Sequence, residues 1–354
     1  MTRRLQPVPF TGVLLIAGLL ALAPARAADP RPLSTIAFGS CLHQSRDQLI
    51  WKPLLASRPD LFIFCGDNIY ADTYKMDLQR QKYAQLAALT GFQQLRRQCP
   101  VLAVWDDHDY GLNDSGAEFR EKEGSRANFL DFWGTPSNAP RRRAAGIYDA
   151  AIYGPPGQRV QVILLDTRFN RSPLVKRAAR AADGGPYAPN PDTNTTLLGA
   201  TQWRWLERQL RQPAEVRLLV SSIQVVADDH HWEHWSNLPH ERTRLLRLLR
   251  ETRAGGVIAL SGDRHHAELC VLKSALLGYP LYDLTSSGLN MSHPLNGADP
   301  GRRRVVPEAV FENNFGLVRI DWSARDPALA LEIVTVDGRT ALRHPFRLSE
   351  LQPP

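Results

Sequence analysis

The chain of 354 residues is 43% hydrophobic and 22% charged, which excludes a disordered, collagen-like or low-complexity protein and leaves room for a sizeable core. Its formal charge of +7 includes Arg3, Arg4 and Arg26 of a leader without acids, so the remainder carries +4, too little to argue for a nucleic acid partner. Four scattered cysteines, Cys41, Cys65, Cys99 and Cys270, contain no CxxC pair, which suggests neither a zinc finger nor a disulfide scaffold and leaves room for one bridge.

Arg3 and Arg4 precede an apolar run from Val13 to Leu22, and Ala25-Arg26-Ala27 supplies a small-x-small cleavage site, so residues 1–27 read as a signal peptide. A membrane anchor is the competing reading, but a span needs roughly 20 apolar residues and Pro24 and Arg26 close this run early. The expectation is no stable membrane anchor and a periplasmic or secreted protein of residues 28–354. Export would follow the Sec route or, on the hint of Thr2-Arg3-Arg4, the twin-arginine route.

Thr35-Ile36-Ala37-Phe38 is an apolar run that stops at Gly39-Ser40-Cys41, as a strand does on entering a loop. The pattern recurs. Runs over 61–65, 101–105 and 162–165 end at Gly66-Asp67, at Asp106-Asp107-His108-Asp109 and at Asp166-Thr167-Arg168. Those over 217–220 and 257–260 end at Ser221-Ser222-Ile223-Gln224 and at Ser261-Gly262-Asp263-Arg264-His265-His266. Helices predicted over 47–57, 78–97, 200–211 and 240–253 cover such buried strands on both faces, an α/β pattern in which ligands collect at the carboxyl ends of strands. The Pro/Gly/Ala-rich segment 178–196 reads as a surface loop or flap. Segments 316–321 and 329–336 alternate as antiparallel strands do, and Asp337-Gly338 is a hairpin turn into a short strand over 340–343. No internal repeat or interdomain linker interrupts this single domain.

Acidic and imidazole groups at two strand ends repel or crowd one another unless cations relieve them, so metal binding is the favoured reading of Asp106-Asp107-His108-Asp109 together with Asp263 and His265. Two cations would activate a water and neutralise phosphoryl oxygens, and a strand-end aspartate, Asp67 after Gly66, suits the bridge between them. From chemistry alone Cys41 is a buried thiol, half of a disulfide or a ligand, and Tyr70 a packing residue or a ligand. His230, His231 and His234, interleaved with Trp232 and Trp235, read as a loop rim, not a second metal site.

These segments resemble the calcineurin-like metallophosphoesterase superfamily, and within it the alkaline phosphatase D (PhoD-like) branch. Gly66-Asp67-Asn68-Ile69-Tyr70 is similar to its GDxxY block, Trp105-Asp106-Asp107-His108-Asp109 to GNHD or GNHE, and Ser261-Gly262-Asp263-Arg264-His265 to GHxH. Cys41, Asp166-Thr167-Arg168 and the segment from Trp232 to Arg242 also resemble PhoD-type sequence. The resemblance implies a four-layer α/β/β/α sandwich and a phosphoesterase acting on monoesters, diesters or both through a metal-bound hydroxide. It implies metal ligands Cys41, Asp67, Tyr70, Asp107, Gln224, Asp263 and His265. Catalytic groups would be His108 as proton donor, held by Asp109 or another carboxylate, with Asp72 near the ligands. Asn113 and Arg168 would bind the substrate phosphate, and Arg264 is a further candidate for that role or for an ion pair behind the site. Asp107, Asp263 and Gln224 replace the usual asparagine and histidines, so the second metal would see mostly oxygen, which suits Ca2+, Mg2+ or Mn2+ better than Zn2+. Fe3+ plus Ca2+ is favoured. An exported metal-binding protein of the same fold without turnover is the alternative, and nothing in the sequence sets the oligomeric state.

Overall fold

Apolar runs without alternation are buried on both faces, and all six predicted from the sequence become strands of two stacked sheets. The computed structural model describes residues 26–29, 31–294 and 301–354. In chain order the first half holds β1 (Arg26–Asp29), β2 (Thr35–Gly39), α1 (Trp51–Ala56), β3 (Leu61–Cys65), α2 (Met76–Ala88), α3 (Thr90–Gln98), β4 (Val101–Val104), α4 (Asp107–Tyr110) and α5 (Lys122–Phe132). It continues with β5 (Asp149–Tyr153), β6 (Val160–Leu164), β7 (Val175–Lys176), β8 (Tyr187–Ala188), α6 (Gly199–Leu210), β9 (Val216–Val220) and α7 (Pro239–Glu251). Last come β10 (Val257–Ser261), β11 (Ala267–Lys273), β12 (Pro280–Ser286), β13 (Asn314–Asp321), β14 (Ala328–Thr335) and β15 (Thr340–Arg347).

One sheet runs β15-β14-β13-β2-β3-β4 and the other β1-β5-β6-β9-β10-β12-β11. Their centres, β2-β3-β4 and β6-β9-β10-β12, are parallel, so each set delivers its carboxyl ends to one rim. Helices cover the outer faces: Phe64 of β3 packs on Phe92 of α3, while Gln161 of β6 and Trp203 of α6 tie the other sheet to α6 and α7. The result is the four-layer α/β/β/α sandwich. The sheets join at the rim, where Ser40 donates its N–H to Ser286 O at 3.1 Å and Gly288 and Leu289 donate back to Ser40 O.

Several boundaries differ from expectation for local reasons. The helix expected over 78–97 is two, broken by extended backbone at Leu89; α3 is thereby turned so that Gly91 sits on Trp51, where a Cβ would meet the indole at 2.1 Å. The Asp337-Gly338 turn forms as expected, with Gly338 at φ 87, and its outgoing strand extends to Arg347 through Pro345, which an edge strand tolerates. All four cysteines are free and buried, so the bridge left open by the sequence is absent among the described residues. Most of the expected leader, residues 1–25, lies outside the described residues, and β1 crosses the expected cleavage point after Ala27. No helix among the described residues is long and apolar enough to cross a membrane.

Gly316 of β13 faces Phe38 of β2, and a Cβ there would lie 2.1 Å from the buried ring. Gly316→Ala is expected to cost about 1–3 kcal/mol through overpacking, read as a lower melting temperature.

Candidate metal centre

β2, β3 and β4 deliver Cys41, Asp67 and Asp106-Asp107 from one sheet, while β10 delivers Asp263 and His265 from the other. Three overlapping sets of donor atoms result, each within 4.8 Å: Cys41, Asp67 and His265; Asp67, Asp107 and His108; Asp106, Asp107 and Asp263. Asp67 and Asp107 belong to two sets each, so the donors form a continuous row across the seam between the sheets.

At one end, Cys41 Sγ lies 3.5 Å from Asp67 Oδ2 and 3.0 Å from Ser287 Oγ. Tyr70 Oη donates to Asp67 Oδ2 at 3.3 Å and lies 3.3 Å from His265 Nε2. Ser287 also accepts the His265 N–H at 2.7 Å, so one hydroxyl from the second sheet fixes two donors. Burial pushes the Cys41 thiol up to about 11 and the His265 imidazole down to about 3, the latter helped by His293 and His108. A cation would reverse the thiol's preference by favouring the thiolate.

At the other end, burial and neighbouring acids hold the Asp67 and Asp263 carboxyls well above the usual carboxylate range. Burial also raises Asp107, but His108, Arg168 and the Asp114 N–H outweigh it and bring Asp107 to about 2. Asp106 Oδ2, Asp107 Oδ1 and His265 Nδ1 are buried without hydrogen-bond partners among the described residues. Orphaned acidic oxygens in a closed cluster fit a cation, and the donor set of thiol, phenol, imidazole and carboxylates fits two different ones.

The backbone accepts strain to build this row. Of eight non-glycine residues with positive φ among the described residues, five lie here: Cys41 at 58, Asp67 at 51, Asp72 at 44, Asp263 at 69 and His265 at 56. Gly66, at φ 101, has no room for a Cβ, which would strike Asp106 Cβ at 2.5 Å. Left-handed backbone at non-glycine residues concentrates at functional sites because it costs energy that packing alone rarely requires.

Cys41, Asp67, Tyr70, Asp107, Asp263, His265 and His108 thus come together. Four other residues predicted for the site do not take the expected places. Asp109 does not hold His108: its oxygens accept the Asn68 side chain and the Asp106 N–H, as a helix-capping carboxylate does. Asp72 holds His108 instead, 2.8 and 2.9 Å from Nδ1. With Asp107 and Asp67 it lifts His108 to about 11 against the opposing effect of burial. The Gln224 amide is committed elsewhere, donating to Glu268 at 2.5 Å and Thr285 at 2.8 Å and facing His230 Nε2 at 2.9 Å. Asn113 is exposed and bonded to Asp114.

Arg168 is fully enclosed and takes no outward position. Its Nε donates to Asp106 at 2.5 Å, its Nη1 to Glu233 at 2.6 Å, and Asp107 lies 3.9 Å away. Glu233 also pairs with Arg171 at 2.9 Å; Arg171 donates to Asp114 O, and the Asp114 N–H closes the ring on Asp107 at 2.6 Å. Asp106 joins the donors beyond the ligands expected from the sequence, and Glu233 and Ser287 join the site unannounced. For Asp106 the acidic run was a signal; Glu233 and Ser287 carry no local pattern. The segment expected as a flap is stitched down: Tyr187 Oη donates to Asp114 at 2.6 Å, and Asp183 accepts the His231 N–H at 2.7 Å.

Arg168→Met is expected to cost about 3–5 kcal/mol, because it strands buried carboxylates. Melting of the cation-free protein tests this; a residue serving only to bind phosphate would raise KM and leave the melting temperature in place.

A family model described as PhoD-like phosphatase matches residues 36–289. No curated protein matches the chain in sequence. Among solved structures, that of PhoD superposes with a TM-score of 0.65 at 18% identity, covering 90% of this chain and 73% of the other. GAP50, the anchor in the inner membrane complex of Plasmodium, superposes with a TM-score of 0.56 at 12% identity, covering 92% and 90%. At such identities these two likenesses speak for the fold.

Proposed function

The chain belongs to the PhoD-like phosphatase family and is a hydrolase of phosphoric esters with a candidate metal site, and from that premise we propose an exported enzyme with a mixed two-cation centre. The observation that carries the proposal is the row of three donor sets joined through Asp67 and Asp107. Cys41, Tyr70, His265 and Asp67 would hold Fe3+, which suits thiolate and phenolate; Asp67, Asp107, Asp106 and Asp263 would hold Ca2+, which suits oxygen. When bound, the cations supply an activated water and neutralise charge on the phosphoryl oxygens.

The protein's own part is proton delivery and positioning. Asp72 on Nδ1 keeps the His108 ring oriented and charged, which leaves Nε2 to protonate the departing alkoxide. Arg168 and Glu233 hold Asp106 and Asp107 in place without touching substrate. Monoesters, diesters or both are the substrates. Export rests on the signal peptide expected over residues 1–27, by the Sec or twin-arginine route, and N-terminal sequencing of the secreted protein checks the cut after Ala27.

The test of the whole is metal analysis and visible absorption of the purified protein, with 4-nitrophenyl phosphate and bis(4-nitrophenyl) phosphate as substrates. Asp67→Gly, chosen because glycine accepts the φ of 51, is expected to keep the fold and abolish turnover of both. Full turnover would refute the centre; a wild type that binds cations but turns over neither ester would be a binding protein. His108→Asn is expected to lower kcat by about 10²–10⁴-fold on alkyl phosphates and far less on 4-nitrophenyl phosphate, whose leaving group needs little protonation.

A further inference from the structure

Arg264 lies between Asp263 and His265, two members of the donor row. Its backbone is fixed on both sides by the positive φ of those neighbours, by its N–H to Gly262 O at 2.9 Å and by the contact of its carbonyl with His266 Nδ1 at 2.8 Å. The side chain is half-buried, and its Nε is enclosed without a hydrogen-bond partner. It lies over Trp232, with Cζ 5.8 Å from the ring centroid, and makes no hydrogen bond or ion pair to any described residue.

This sets Arg264 apart. Every other arginine of the described residues that is not exposed has a carboxylate or carbonyl partner: Arg168 and Arg171 pair with Glu233, Arg159 with Glu215, Arg242 with Asp228, and Arg217 with backbone carbonyls. A partly enclosed guanidinium is costly when the carboxylates near it, Asp263, Glu268 and Asp183, do not bond to it, and part of that cost is recovered when an anion does. None of its five donors is bonded to a described residue, Trp232 braces its face, and its chain position ties it to the metal groups.

Resting on the reading of the site as a phosphoesterase centre, we propose that Arg264 binds a non-bridging phosphoryl oxygen of the substrate and thereby selects monoesters over diesters. A diester has two non-bridging oxygens, and both would be taken up by the cations that the donor row would hold. A monoester has a third, which the guanidinium takes as a charge-assisted acceptor.

The experiment compares kcat/KM for 4-nitrophenyl phosphate and bis(4-nitrophenyl) phosphate in the metal-loaded wild type, Arg264→Gln and Arg264→Lys. Wild type is expected to prefer the monoester. Arg264→Gln is expected to lower the monoester-to-diester ratio by on the order of 10- to 100-fold, mainly through KM, with Arg264→Lys in between. Calorimetric titration of the same proteins with inorganic phosphate reads binding without turnover, and Kd is expected to rise about 10-fold or more in Arg264→Gln. An unchanged ratio with unchanged phosphate Kd overturns the assignment, as does an equal fall on both esters. Wild type inactive on both esters would defeat the phosphoesterase reading alone, since the phosphate titration still decides the role of Arg264.

Discussion

Four carboxylates, those of Asp67, Asp106, Asp107 and Asp263, are gathered where two sheets meet, the first three of them buried. Holding them there is the constraint from which much of the surrounding structure follows. Arg168 supplies one internal counter-charge, Glu233 keeps that arginine from turning away, and Arg171 balances Glu233 in turn. What remains without a partner among the described residues are Asp106 Oδ2 and Asp107 Oδ1 along the seam, and their geometry defines where positive charge is still required.

Position matters as much as charge. The two sheets contribute different kinds of donor, and the clasp of Ser40 with Ser286, Gly288 and Leu289 sets their separation. Ser287, one residue along, fixes both Cys41 and His265. A hydroxyl with no chemistry of its own thus decides whether donors 224 residues apart in the chain, from 41 to 265, meet at hydrogen-bond range of a shared partner.

The strands and the identities of most donors were legible in the sequence because burial on both faces leaves unbroken apolar runs, and because a run ending in acids and histidine has few other uses. Chain-local spacing misled where a partner was remote. Asp109 sits one residue from His108 yet turns inward to cap its own helical turn, while Asp72, 36 residues earlier, reaches the imidazole. Arg168 resembled a phosphate-binding residue, since nothing in its neighbourhood announces Glu233, 65 residues on. Gln224 was placed by motif position, but its loop turns the amide toward Glu268 and Thr285. Side-chain direction in loops is set by such distant partners, and a linear pattern does not encode it.

The left-handed backbone at Asp67, Asp263 and His265 constrains descent as well as geometry. If a lineage carrying this fold ceased to need its cations, selection on side-chain chemistry at those positions would vanish, but the torsion would remain. β-branched and bulky replacements would still be disfavoured, and glycine, asparagine and aspartate would persist there. A degenerate cousin would therefore keep small polar residues or glycine at these positions, a conformational scar that outlasts the chemistry.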